Sequence, residues 1–247
     1  MSQEFAGRTV VVTGAASGIG NSVARHFAER GARVFGVDLS NSIHEEMAAL
    51  PGAGHQGITQ DLTAVGAGTA TIGKVLQAAG KVDVLVNSAG IVLLDKALDL
   101  SEQKWNATLG VNLTASFVMA QAAGKAMTKA GHGRIINLAS QASVIGLDEH
   151  VAYCASKAAI VGMTKVLSME WAPHGVTVNA VSPTVVETPL GKLAWAGEKG
   201  EALKRQIPTG RFAQPEEVAG LIAYLAGESA GMITGENILI DGGYASI

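Results

Sequence analysis

Thr9-Val10-Val11-Val12-Thr13-Gly14-Ala15-Ala16-Ser17-Gly18-Ile19-Gly20 decides the fold of this 247-residue chain. Three consecutive valines between threonines read as a strand covered on both faces, because a half-exposed strand alternates apolar with polar residues. The glycines that follow, spaced Gly-x-x-x-Gly-x-Gly, permit a tight turn from strand into helix. They also leave the helix's first N–H groups open to an anion. The spacing departs from the commoner Gly-x-Gly-x-x-Gly, so the loop alone is also compatible with an ordinary βα turn. What surrounds it has to decide.

Outward from this stretch, short β-branched runs alternate with helical patterns. Strands are expected at 9–13, 34–37, 57–60, 82–87, 134–138, 176–181 and 237–240. Helices are expected near 18–30, 42–49, 66–79, 101–130, 152–172 and 215–227. Such alternation predicts an α/β fold: one doubly wound, Rossmann-type parallel sheet of about seven strands with helices on both faces. No linker, repeat or charge block interrupts it, so residues 1–247 read as one domain. The stretch 182–210 is longer than ordinary connections, and about 184–210 of it is expected to be a substrate lid.

The bulk composition narrows the function. A net charge of -3 with scattered Lys and Arg gives no nucleic-acid surface. No apolar run is long enough to span a membrane, and the polar start carries no signal-peptide pattern. The single cysteine, Cys154, excludes an internal disulfide and suits a reducing compartment, so cytoplasm is the expected location. No metal site is expected.

Asp38, at the end of the second strand and about twenty residues past the glycines, changes the reading of the loop. A carboxylate there accepts hydrogen bonds from adenosine ribose hydroxyls, and Gly14, Ser17, Gly18, Ile19 and Gly20 become expected pyrophosphate contacts. It also repels a 2′-phosphate by ~1 kcal/mol in water and ~4 kcal/mol at an effective dielectric of 20. No Lys or Arg stands nearby at 39–41 to offset that, so NAD is expected over NADP. Asp61-Leu62 and Asn87-Ser88-Ala89-Gly90 follow later strands at the same sheet edge. Asp61 suits an adenine amino group, and the small Ala89 and Gly90 leave room for a cofactor.

Tyr153 and Lys157, four apart on a helix, share a face. A phenol with an ordinary pKa near 10 needs ~4 kcal/mol of help to act as a base near neutrality. An ammonium and a positively charged nicotinamide both favour the phenolate. Ser140, at the end of the fifth strand, is placed to bond the same substrate oxygen. Tyr153 then accepts a hydroxyl proton as hydride leaves the carbinol, or donates it in the reverse reaction.

Taken together, the glycine motif, Asp61, 87–90, Asn112, Ser140, Tyr153-x-x-x-Lys157, Pro183 to Thr188 and Asp241-Gly242-Gly243 resemble the short-chain dehydrogenase/reductase family across essentially the whole chain. The resemblance implies that Asn112 interrupts its helix and holds a water that links Lys157 to solvent. It implies cofactor contacts from Tyr153, Lys157, Pro183, Val186 and Thr188, and a homotetramer paired through the helices at 101–130 and 152–172 and through the C-terminal segment. Ser88 and Thr184 depart from the commonest family pattern and are similar to its sugar and polyol branch. In that branch Gln141, Leu147, His150 and Trp195 are the implied substrate residues. The expected reaction is NAD-linked oxidation of a secondary hydroxyl in a short sugar alcohol, such as D-threitol, to a ketose.

Two other functions compete. A 3-oxoacyl-carrier-protein reductase needs a basic docking patch, for which only Lys125, Lys129, His132 and Arg134 are available. A non-catalytic NAD-binding homologue conflicts with the complete Asn112, Ser140, Tyr153 and Lys157 set.

Overall fold

The computed structural model describes residues 3–246; positions 1–2 and 247 of the expected single domain lie outside them. Seven strands run β1 (Thr9–Thr13), β2 (Arg33–Asp38), β3 (Gln56–Thr59), β4 (Val84–Asn87), β5 (Gly133–Leu138), β6 (Val176–Pro183) and β7 (Asn237–Ile240). The helices between them are α1 (Gly18–Ala28), α2 (Ile43–Ala48), α3 (Ala67–Ala79), α4 (Glu102–Leu109), α5 (Ala115–Ala130), α6 (Val151–Trp171), α7 (Pro189–Ala194), α8 (Glu198–Lys204) and α9 (Pro215–Ala226). All pairings are parallel, in the order β3-β2-β1-β4-β5-β6-β7. This is the expected doubly wound sheet.

Strand period explains the valine run. Val10 and Val12 face one way, with Val84, Val86, Ile136 and Leu138, onto α1 and α9 through Val23, Phe27, Val218 and Ile222. Val11, Phe35, Leu85, Ile135 and Val178 face the other way, onto α3 and α5 through Ile72, Val75, Met119 and Met127. Both faces are dry. Each such aliphatic or aromatic side chain contributes about 1.5–3 kcal/mol by leaving water.

Strand order reverses between β1 and β4, which both lie at the sheet's centre. The helices that follow them, α1 and α5, therefore pack on opposite faces, and the carboxyl edge between them is where ligands of such sheets bind.

Two expectations are corrected. The helix expected at 101–130 is two α-helices joined by a π-helical turn, Gly110–Thr114. That turn holds one residue more than α geometry takes, and the Ser116 hydroxyl bonds the Asn112 carbonyl within it (2.9 Å). The stretch after β6, expected as one long connection, holds two short helices, α7 and α8. Thr188 caps α7 by accepting from Gly191 N–H (3.0 Å), with Pro189 at the first helical position. No described helix is long and apolar enough to cross a membrane.

Candidate active site

The glycine loop is built by close approach. Gly14 has φ +68°, and a Cβ there would stand 2.9 Å from Ala89 Cα, so conformation and space both require glycine. A Cβ on Gly20 would meet the Gly14 carbonyl oxygen at 2.2 Å. The Thr13 hydroxyl accepts from Ser88 N–H (3.0 Å) and Ala89 N–H (3.1 Å), which holds the β1 and β4 loops together across the crevice. Sequence reading missed Thr13; its only signal is its place directly before the motif.

These residues fit a dinucleotide. Ser17 caps α1 without a side-chain cap bond and is exposed, and the first turn of α1 carries no acid. Its hydroxyl and the N–H groups of Gly18, Ile19 and Gly20 are thus available to a pyrophosphate. The half-buried Asp38 reaches back to this loop: Oδ2 accepts from Ala16 N–H and Oδ1 from Ser40 N–H, both at 3.0 Å. Both carboxylate oxygens keep lone pairs for ribose hydroxyls. Thr188 arrives from the far side, its Cγ2 3.4 Å from the Cβ position of Gly18.

Other expected cofactor residues differ in what they present. Asp61 is exposed, and its carboxyl lies below the ordinary range because Thr63 donates to it from side chain and backbone (2.6 and 2.8 Å). Leu62 and Val186 turn their side chains to the apolar core, and Pro183 ends β6 against Ile240. Only the backbone of these three faces a ligand readily. The Asn87 amide is buried, donating to Asn137 Oδ1 (2.9 Å) and the Ser116 carbonyl (3.1 Å). Gly90 stands where a Cβ would lie 3.3 Å from Asn112 Oδ1 and 3.7 Å from Lys157 Nζ. It therefore joins the cofactor crevice to the catalytic group.

The expected catalytic residues converge there. Tyr153 stands close enough to Ser140 for that hydroxyl to pull its phenol down, and the Lys157 ammonium lies 5.6 Å from its ring centroid. Lys157 is buried and donates to the Leu138 carbonyl (2.6 Å). Asn112 takes Ile91 N–H on Oδ1 (2.8 Å), and its amide donates to the Ile91 carbonyl (3.0 Å) and Ser156 Oγ (3.1 Å). Ser156 in turn bonds the Tyr153 carbonyl (2.7 Å). No sequence pattern pointed to Ser156 or to the Leu138 carbonyl.

Burial sets the electrostatics. It pushes the Tyr153 phenol above its ordinary range, against the Ser140 bond, which pulls it down; the Cys154 thiol adds to the rise. Ligand-free, Tyr153 therefore stays a phenol near neutrality. Burial also lowers Lys157 to about 8. The ammonium thus costs the free protein roughly 3 kcal/mol, at 1.36 kcal/mol per unit. Between pH 8 and the ordinary lysine value the unfolded chain holds a proton that the folded chain lacks, so stability rises with pH across that window. Lys157→Met is expected to raise the ligand-free melting temperature at pH 7 by several degrees, with the gain shrinking above pH 8, while turnover is lost. Melting curves from pH 6 to 10 check this; a destabilised variant would contradict it.

The expected substrate residues are less uniform. Gln141, beside Ser140, is buried, and its Oε1 has no partner. Leu147 is half-buried. His150 begins α6, its ring 6.0 Å from that of Tyr153. Trp195 ends α7 and packs edge-on against Phe212 (6.3 Å), with Lys199 Nζ over its ring (4.6 Å). The structure groups Gln141 and His150 with the catalytic set and gives Trp195 its contacts within and after the α7–α8 segment.

Comparison with known proteins agrees with this arrangement. A family model described as enoyl-(acyl carrier protein) reductase matches residues 14–245. The chain belongs to the short-chain dehydrogenase/reductase family. It is 50% identical to an NAD-dependent glycerol dehydrogenase of Listeria innocua over 96% of this chain and 93% of that protein. It is 49% identical to a D-threitol dehydrogenase of Mycolicibacterium smegmatis, with the same coverage. A solved structure from Beutenbergia cavernae, provisionally described as an NAD(P)-dependent gluconate 5-dehydrogenase with NADP at low occupancy, superposes with TM-score 0.94 at 36% identity, covering all of both chains. The chain is therefore an oxidoreductase acting on CH–OH groups, with a nicotinamide cofactor.

Proposed function

We propose that this dehydrogenase reversibly oxidises a secondary hydroxyl of a short sugar alcohol, such as D-threitol, to the ketose with NAD. The observation that carries the reading is the polar flank of the catalytic group. Gln141, with its unpaired buried carbonyl oxygen, adjoins Ser140, and His150 stands beside Tyr153. A substrate with one hydroxyl leaves both without a partner, whereas a polyol gives each one. The two polyol-dehydrogenase relatives support the same substrate class.

NAD, when bound, supplies the hydride acceptor and a positive charge beside the phenol. Ser140 donates to the substrate oxygen and orients it, and Tyr153 takes the hydroxyl proton. Lys157 stabilises the phenolate, and the Asn112 turn holds the water through which its proton reaches solvent. Gly14, Ser17, Gly18, Ile19 and Gly20 cradle the pyrophosphate, Asp38 the ribose and Asp61 the adenine. Asn87, Ala89 and Gly90 line the crevice floor, while Pro183, Val186 and Thr188 bound the nicotinamide side. Leu147 walls the substrate, and Trp195 closes over it as the 184–210 lid shuts. One domain carries the whole site, in a protein whose unpaired Cys154 suits the cytoplasm. Exposed Phe117, Val166 and Met169 on α5 and α6, and Met232 and Leu239 around β7, support a homotetramer, which mass in solution tests.

The carrier-protein reading finds its basic residues badly placed. His132 bonds Arg8 (2.8 Å) and Arg134 is buried at the amino end of β5, opposite the edge that bears Ser140. The decisive assay offers four- to six-carbon polyols and an acetoacetyl thioester side by side. NADH formation with a polyol, at higher kcat/KM than thioester reduction, is expected; no turnover of any polyol sinks the proposal.

A further inference from the structure

Glu149 is the only non-glycine residue at positive φ (64°) among the described residues, and it immediately precedes His150. L side chains rarely adopt this conformation, and it persists where the surroundings impose it. Here they do. Lys96 Nζ donates to Asp148 Oδ2 at 2.6 Å and lies 3.5 Å from Glu149 Oε1. Asp95 N–H donates to the Glu149 carbonyl (3.2 Å). From α4, Lys104 Nζ bonds Asp95 Oδ2 (2.8 Å) and the Leu94 carbonyl (3.2 Å), which anchors the segment that bears Lys96. The Lys96 ammonium holds the Asp148 carboxyl below its ordinary range.

The clamped turn has a chemical consequence one residue later. His150 Nδ1 lies 2.5 Å from the Asp148 carbonyl oxygen. A carbonyl only accepts, so Nδ1 carries the proton and donates it. The neutral ring then presents Nε2 as a bare acceptor. An alcohol's hydroxyl is the donor that such a nitrogen takes, and the ring stands edge-on to Tyr153.

We propose that Lys96 is a positioning residue for the alcohol: by clamping the Asp148–Glu149 turn it fixes the tautomer and placement of His150, so that Nε2 accepts from a substrate hydroxyl next to the one oxidised. The proposal rests on the polyol reading above and assigns one of its contacts. Lys96 touches neither substrate nor cofactor.

A double-mutant cycle tests it on the full-length enzyme with NAD and the best polyol of the panel. Lys96→Met is expected to raise the polyol KM about two- to fivefold, the range for an exposed ion-pair network, with kcat and the NAD KM unchanged. His150→Leu is expected to raise the polyol KM further, and adding Lys96→Met to it to change nothing more, since the clamp acts through the imidazole. Lys96→Arg restores the wild-type KM. Raising NaCl from about 0.05 to about 0.5 M screens the exposed pair and raises KM in the wild type but not in Lys96→Met. This readout uses the wild-type fold. An unchanged KM in Lys96→Met, or an equal rise in the His150→Leu background, overturns the clamp while leaving the polyol reading intact. A wild type that oxidises no polyol overturns both.

Discussion

Tyr153→Phe is expected to lower turnover by about 10³-fold or more while NAD binds within about twofold of the wild type. General acid–base groups contribute about 10²–10⁴ in rate, and here the lost hydroxyl is also the one that stands beside Ser140. The substitution removes one hydroxyl and keeps the ring that packs beside Lys157 and His150. Nothing in the glycine loop or at Asp38 depends on it. Tyr153 is moreover only half-buried, and its phenol is shifted away from ionisation in the free chain, so its loss is not expected to destabilise the fold. Single-turnover kinetics with NAD titrated by fluorescence separates the two effects. Turnover within tenfold of the wild type would place the acid/base on another residue, and an equal loss of NAD binding would mean that the hydroxyl also holds the cofactor.

Much of this was legible because local and global signals coincided. The run Val10-Val11-Val12 reads as a doubly covered strand since strand period sends alternate residues to opposite faces, and both faces carry helices. Tyr153 and Lys157 could be paired because helix period alone puts them on one side. Asn112 needed the family resemblance: a π turn arises from one residue too many in an otherwise regular helix, and no composition marks it. The helices α7 and α8 escaped because each spans too few residues for periodicity to show, and both contain glycine. The Lys96 clamp escaped for a different reason. Its partners lie 52 and 53 positions away, and only the fold brings the loop after β4 against the start of α6.

The sequence assigns the ionisation of Tyr153 to two cations, the neighbouring ammonium and a positively charged nicotinamide. In the folded chain Lys157 spends a hydrogen bond on the Leu138 carbonyl and is itself pushed toward neutrality by burial, which leaves more of that help to the second cation. On the proposed mechanism the base is therefore assembled only when a cation joins the site, and that coupling would favour proton removal in the oxidised-cofactor complex.

On the proposed reading Asp38 selects the nicotinamide cofactor, and Asp38→Asn is expected to raise the ratio of NADP to NAD efficiency by about 10- to 10³-fold. A carboxylate beside a 2′-phosphate costs ~1 kcal/mol at 4 Å in water and ~4 kcal/mol at an effective dielectric of 20, and the half-buried Asp38 lies between those limits. Asparagine removes the charge and keeps one side-chain oxygen that can accept from Ala16 N–H, so the glycine loop retains its tie to β2. It loses the second acceptor, which weakens the grip on the ribose hydroxyls and lowers NAD efficiency at the same time. Both changes move the ratio in one direction. The measurement is kcat/KM for both cofactors at saturating polyol, in wild type and variant. Low ionic strength is needed, because salt screens the repulsion being measured. A wild type that uses the two cofactors equally, or a variant with an unchanged ratio, would mean that the carboxylate serves only to bind Ala16 and Ser40, and that the 2′-position is read elsewhere.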